Sequence, residues 1–145
     1  MPDRRPWRDL IWDGAFAVRV ALFATGAFWA AQLWRPVDTL AGSPSYRWMR
    51  EVAVSAGFGD APDVLWAWVF TAEASVCGAA VVWRNTPVRL ASALVVGVVR
   101  GAVAWGIWAS NPGNGGWGVY LILALLAYWL AARNIARGGA AGASA

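Results

Sequence analysis

Val64–Trp83 reads VLWAWVFTAEASVCGAAVVW, twenty residues that carry a single charge. After Arg84-Asn85-Thr86-Pro87, the stretch Val88–Trp108 reads VRLASALVVGVVRGAVAWGIW. In a helix rising ~1.5 Å per residue, about 20 apolar residues cross the ~30 Å hydrocarbon core of a bilayer. Two further apolar stretches, Gly14–Trp34 and Trp117–Ala132, flank this pair. A soluble fold buries one or two such helices, but four in 145 residues, 59% of them apolar, leave too little polar chain to cover them. The sequence therefore predicts an all-α, polytopic membrane protein. Its four transmembrane helices form an antiparallel bundle with spans at about 14–34, 64–83, 88–108 and 117–132. Residues 1–137 make one domain, and the Gly, Ala and Ser tail 138–145 is expected to be disordered.

Connections and ends follow the same physics. Asn85 suits a left-handed helix end, Thr86 an N-cap, and Pro87 the first position of the next helix. Asn111-Pro112-Gly113-Asn114-Gly115-Gly116 cannot continue a helix and separates the last two spans. The longest connection, Arg35 to Asp63, contains Ser43-Pro44 as a helix start and Gly57 as a stop. Between them Trp48, Met49, Val52, Ala53 and Ala56 share one side and Arg47, Arg50 and Glu51 another. This predicts an amphipathic helix over 44–56, on the membrane surface or against the bundle. Seven of the 12 Trp (Trp12, Trp34, Trp66, Trp83, Trp108, Trp117, Trp129) fall at span ends, at headgroup level. Trp29 and Trp105 fall inside spans, where core packing is the expectation.

All 12 basic residues are Arg, with no Lys or His, as the codon bias of a GC-rich genome produces. With a cytoplasmic N-terminus the inside receives Arg4, Arg5, Arg8, Arg84, Arg89, Arg133 and Arg137, and the outside Arg35, Arg47 and Arg50. That bias predicts a bacterial inner (cytoplasmic) membrane protein with both termini cytoplasmic. Arg4, Arg5 and Arg8 before an apolar run resemble a secretory signal, but the run is long and ends in Phe28, Trp29 and Trp34. A retained helix is expected. The scattered arginines form no patch for nucleic acid. With no His and one Cys, Cys77, metal and haem sites have no ligand set, no cofactor is expected, and Ser–His or Cys–His catalysis is excluded. The chain is expected not to be an enzyme.

Three charges fall inside spans. A charged side chain near the bilayer centre costs at least ~2.5–3.5 kcal/mol unless it finds a partner, water or the interface. Glu73 and Arg100 reach similar depth on antiparallel neighbours and are expected to pair. Arg19 lies nearer the inner edge, able to snorkel or reach Asp13. Two readings stay open: a register-fixing pair, or a polar path for protons or a small anion through Glu73, Arg100 and Arg19. Small residues recur every fourth position at Ala93, Gly97 and Gly101, at Ala74 and Gly78, and at Gly26 and Ala30. Such stripes let helices pack closely, within the chain or between copies. The bulkier fourth span suits a lipid-facing helix.

From Ala61 onward, Pro62, Trp66, Trp68, Asn85-Thr86-Pro87 with Arg89, Trp105, the Gly-rich turn and Arg133 form one outline. In this it resembles small polytopic membrane proteins of tailed bacteriophages and prophages, over residues 61–137. It departs from their pattern at Ala67, where glycine is common. The resemblance implies a host-membrane product such as a holin-like lysis protein, a superinfection-exclusion factor or a virion membrane component. The favoured expectation is a small non-enzymatic membrane protein acting by oligomerisation or partner docking, in contact with the lipid bilayer. The alternative is a small transporter or channel with a Glu–Arg polar site.

Overall fold

The structure, a computed structural model, describes residues 14–36, 38–83 and 85–142. Its regular elements are all helical: α1 (Gly14–Leu33), a 3-10 turn (Pro44–Tyr46), α2 (Arg47–Ser55), α3 (Pro62–Val82), α4 (Thr86–Ser110) and α5 (Gly116–Gly142). Four helices, α1, α3, α4 and α5, are long and apolar enough to cross a membrane. Their bounds lie within two residues of the expected spans except at the end of α5. There helix continues to Gly142, through the tail expected to be disordered from Gly138. No proline interrupts this Ala-rich stretch, and its glycines weaken a helix by only about 1 kcal/mol each.

The four long helices pack as two close pairs, α1 with α3 and α4 with α5. The pairs meet along a sparser seam, chiefly between α3 and α4, while α1 and α5 barely touch. Small residues make the close contacts. A Cβ placed on Gly26 would lie 3.5 Å from the Ala74 Cα, and one on Gly78 3.3 Å from the Phe23 ring. On the other pair, the Tyr128 ring occupies the space over Gly97, 2.8 Å from where a Cβ would be. Gly101 faces open space instead. The stripes are thus spent largely within the chain.

Two expectations about apolar faces change. Trp105 is 61% exposed and stacks only on its neighbour Trp108, so it faces outward rather than into the core. Periodicity marks an apolar face but cannot tell lipid from protein when both are apolar. The fourth span is not wholly lipid-facing either. Ala124, Ala127, Leu130 and Ala131 are buried, whereas Leu121, Ile122 and Leu125 are exposed.

The long connection folds onto one end of the bundle, here the loop face; the other end, at Trp83–Asn85, is the hairpin face. The Asp63 carboxylate accepts the Thr39 N–H at 2.7 Å and the Leu40 N–H at 3.2 Å, seating fully buried Leu40. Arg50 donates to the carbonyls of Leu40, Ala41 and Ser43. The Ser43 hydroxyl caps the 3-10 turn by accepting the Ser45 N–H, as Ser43-Pro44 predicts. At the far end Gly57 takes φ +88°, and Phe58 N–H returns to Ala53 O at 2.8 Å, closing a Schellman motif. Met49 and Ala53 are buried against the bundle, so α2 is a folded lid and not a surface float. Trp66, expected at headgroup level, is buried and donates its indole N–H to Met49 O at 2.8 Å.

The α3–α4 hairpin differs in detail from its sequence reading. Asn85 is extended (φ −75°, ψ 123°) and occupies the cap position, Thr86 is the first helical residue and Pro87 follows. Trp83 and Asn85 are both extended, so Asn85 does not take the left-handed conformation expected of it. Arg84 lies outside the described residues, as do Trp12 and Asp13.

Candidate functional site

The seam between the helix pairs holds the buried charge. Glu73 is the twelfth residue of α3 and Arg100 lies ten residues before the end of α4, which puts both about 15 Å below the loop face. Arg100 Nε donates to Glu73 Oε1 at 2.8 Å, and both side chains are completely buried. The expected pair therefore forms.

It forms incompletely. Glu73 Oε2 and both terminal nitrogens of Arg100, Nη1 and Nη2, have no hydrogen-bond partner in the protein. A guanidinium and a carboxylate can close two parallel bonds; this pair closes one. Three polar atoms of the pair are left open. Leaving each in a dry interior costs about 1–3 kcal/mol. Part of the charge is met by aromatic faces instead: the guanidinium carbon lies 4.9 Å from the Phe70 ring centroid and 5.7 Å from that of Tyr120. Such contacts contribute roughly 0.5–2 kcal/mol.

Polar groups continue toward the hairpin face. Cys77 follows Glu73 by one turn, and Ser92 precedes Arg100 by two turns; both are buried. Arg19, 7% exposed, donates from Nη2 to Asn134 Oδ1 at 3.3 Å. It turns inward to α5, and does not snorkel outward. A small cavity of about 10 Å³, room for one water-sized sphere, is bounded here by Arg19, Cys77, Arg89 and Ser92.

The loop-face side of the pair is aromatic. Trp29 from α1 stacks on Phe70 (6.1 Å, 27°) and meets Tyr120 at 6.0 Å and Tyr46 at 6.2 Å. Between α1 and α5, where the long helices touch least, a cleft of about 280 Å³ opens against Trp29, Tyr46, Tyr120, Thr25, Ser45 and Asn114. Asn114 donates to Ser45 Oγ at its rim, tying the α4–α5 turn to the 3-10 turn.

The chain matches no protein-family model, no curated protein and no solved structure. The site must be read from its own atoms. Of the residues singled out from sequence, Glu73 and Arg100 meet in the seam, and Arg19 joins Asn134 closer to the hairpin face. Ala93, Ala74 and Gly78 line helix contacts, Gly97 seats Tyr128, and Gly101 faces outward. Sequence reasoning missed Asn134, whose signal was an amide beside Arg133 at the end of the last apolar run. It also missed Tyr46 and Tyr120, the two phenols of the cleft. Among the described residues no three His, Cys, Asp or Glu come together as a metal site.

Proposed function

We propose that this chain is a multi-pass protein of a bacterial cytoplasmic membrane, both termini inside, that passes a small polar solute along the seam between its helix pairs. The observation that carries this reading is the Glu73–Arg100 pair, buried at mid-depth with one bond made and three polar atoms open. Two close helix pairs meeting at a sparse seam suit a rocking movement, since packed units shift as bodies about a weaker interface. The small-residue stripes, which would otherwise argue for self-association, are mostly used inside the chain. The chemistry asked of the protein is binding and movement, without covalent catalysis, cofactor or nucleic acid. Purified protein in liposomes should support solute-dependent charge movement that Glu73→Gln abolishes. Flux indifferent to Glu73 in correctly folded protein would remove the proposal.

A second reading, oligomerisation or docking of a membrane partner, draws on one feature. Gly101, Ala104, Trp105, Trp108, Trp117 and Leu121 bound an outward groove of about 300 Å³ on the α4–α5 face. A holin-like product of phage origin, as the sequence resemblance implies, would use such a face to assemble. Induced expression should then collapse the membrane potential abruptly, and Gly101→Leu should delay the collapse. Sustained expression at full potential would set this reading aside.

A further inference from the structure

We infer that the cleft between α1 and α5 is a binding site for a small aromatic monocarboxylate, whose ring lies among Trp29, Tyr46 and Tyr120 and whose carboxylate is taken by Arg100. The inference rests on the solute-passing reading for the direction of travel, but the binding itself stands on geometry.

Size and lining set the first part. The cleft of about 280 Å³ admits one single-ring molecule, and three aromatic side chains on three separate elements face it. Trp29 stands at the centre, edge-on to Tyr46 at 76° and tilted 42° from Tyr120. Aromatic rings favour offset or edge contacts at centroid separations of 4.5–7 Å, the spacing these three residues already hold. A flat apolar ring extends that arrangement. Thr25, Ser45 and Asn114 leave a polar fringe at the rim.

Charge sets the second part. Tyr120 forms a wall of the cleft, and the guanidinium carbon of Arg100 lies 5.7 Å from the centroid of that ring. Glu73 binds Arg100 at Nε, which leaves the Nη1/Nη2 end of the guanidinium, a two-pronged fork matched to one carboxylate, without a partner. An aromatic cage without such a neighbour would suit an organic cation. Here Glu73 offsets the charge of Arg100 at Nε alone, so a cation against Tyr120 would meet the open Nη donors, and an anion is drawn to that end instead. Tyr120 lines the cleft while Arg100, fully buried, packs on its ring, so Tyr120 stands between cleft and fork, and a turn of its side chain would open the way. Tyr120 is a gating residue, and Arg100 is the group that selects charge.

The test uses the full chain in nanodiscs of neutral lipid, with radiolabelled benzoate as the probe. Benzoate should bind saturably and be displaced by other aromatic carboxylates, with acetate, benzyl alcohol and benzylammonium at least about tenfold weaker. Removing both charges together (Glu73→Gln with Arg100→Gln) avoids stranding either one, and should weaken benzoate at least about tenfold while leaving benzyl alcohol unchanged. Val119, on the outer rim and 60% exposed, can be enlarged without touching the core. Val119→Trp should block both benzoate and benzyl alcohol. Absence of saturable benzoate binding to folded wild-type protein, equal displacement by benzylammonium, or full binding by Val119→Trp would each overturn the inference. Binding without flux of benzoate or of any other solute in liposomes upholds the site and removes the transport reading. Glu73-dependent flux of other solutes without benzoate binding does the reverse.

Discussion

The ring of Trp48 occupies the space that a side chain at Gly106 would need. A Cβ built on Gly106 falls within the indole, and the backbone N–H of Trp48 donates to Ser110 Oγ one turn further along α4. The lid helix α2 is thus seated on the end of α4 by a residue without a side chain. Gly106→Val should expel Trp48 and cost about 1–3 kcal/mol, the usual range for overpacking. Trypsin should then cut at Arg47 and Arg50 faster than in the wild type, while Gly101→Ala, which faces open space, should leave cleavage unchanged.

Asp63 holds the start of the loop by accepting two backbone N–H groups, those of Thr39 and Leu40. Asp63→Asn keeps the shape but offers one oxygen where two worked, so at least one donor loses its partner. We expect a loss of about 1–2 kcal/mol in detergent-micelle unfolding. Amide exchange should quicken at Thr39 and Leu40 and stay unaltered in α5.

The buried pair gives an asymmetric result. Removing one member strands the other, at about 3–5 kcal/mol, because an unmatched charge remains in a dry interior. Glu73→Gln and Arg100→Met alone should therefore lower the yield of folded protein. The exchange Glu73→Arg with Arg100→Glu should recover part of it, read by size-exclusion chromatography in detergent. No recovery would argue that the Phe70 and Tyr120 rings, which hold the guanidinium of Arg100 over their faces, fix which helix carries which charge.

Close approach at the first helix pair is graded. The position of a Cβ on Gly26, 3.5 Å from the Ala74 Cα, is ordinary van der Waals contact. Gly26→Ala should be tolerated, while Gly26→Leu should push α1 from α3 and lower the unfolding temperature. Equal behaviour of the two variants would show that this pair can separate at little cost.

Outside the spans, burial pushes the Tyr46 phenol above its ordinary value of 10.0. The folded chain therefore keeps the neutral form more firmly than the unfolded chain does. This contribution is constant below pH 10 and is lost as pH rises through the folded value. Tyr46→Phe should flatten the alkaline limb of a stability–pH curve and leave stability unchanged from pH 6 to 9.

Much of this arrangement is legible in the sequence, for identifiable reasons. The spans could be read because hydrocarbon imposes length and composition at once, and the first three differ from expectation by no more than two residues. Glu73 and Arg100 could be matched because charges in lipid need partners and antiparallel helices fix depth. Asn134 escaped notice because an uncharged amide near a span end reads as an interface residue. The burial of Ala124, Ala127 and Ala131 was hidden among leucines, which dominate any hydropathy reading of α5. Trp105 was misplaced because an indole inside an apolar run is equally at home against protein or acyl chains. The roles of Tyr46 and Tyr120 depend on three elements distant in sequence, and no local pattern foretells that meeting.

The separation of 27 positions between Glu73 and Arg100 has a consequence for biosynthesis. Helix α3 leaves the ribosome before its counter-ion has been made, so a nascent membrane segment with a lone acid must wait beside the insertion machinery. The tight Trp83–Asn85 reversal shortens that wait to a single further helix. Lengthening the hairpin with flexible residues should therefore impair insertion more than it impairs the stability of chains that have already folded.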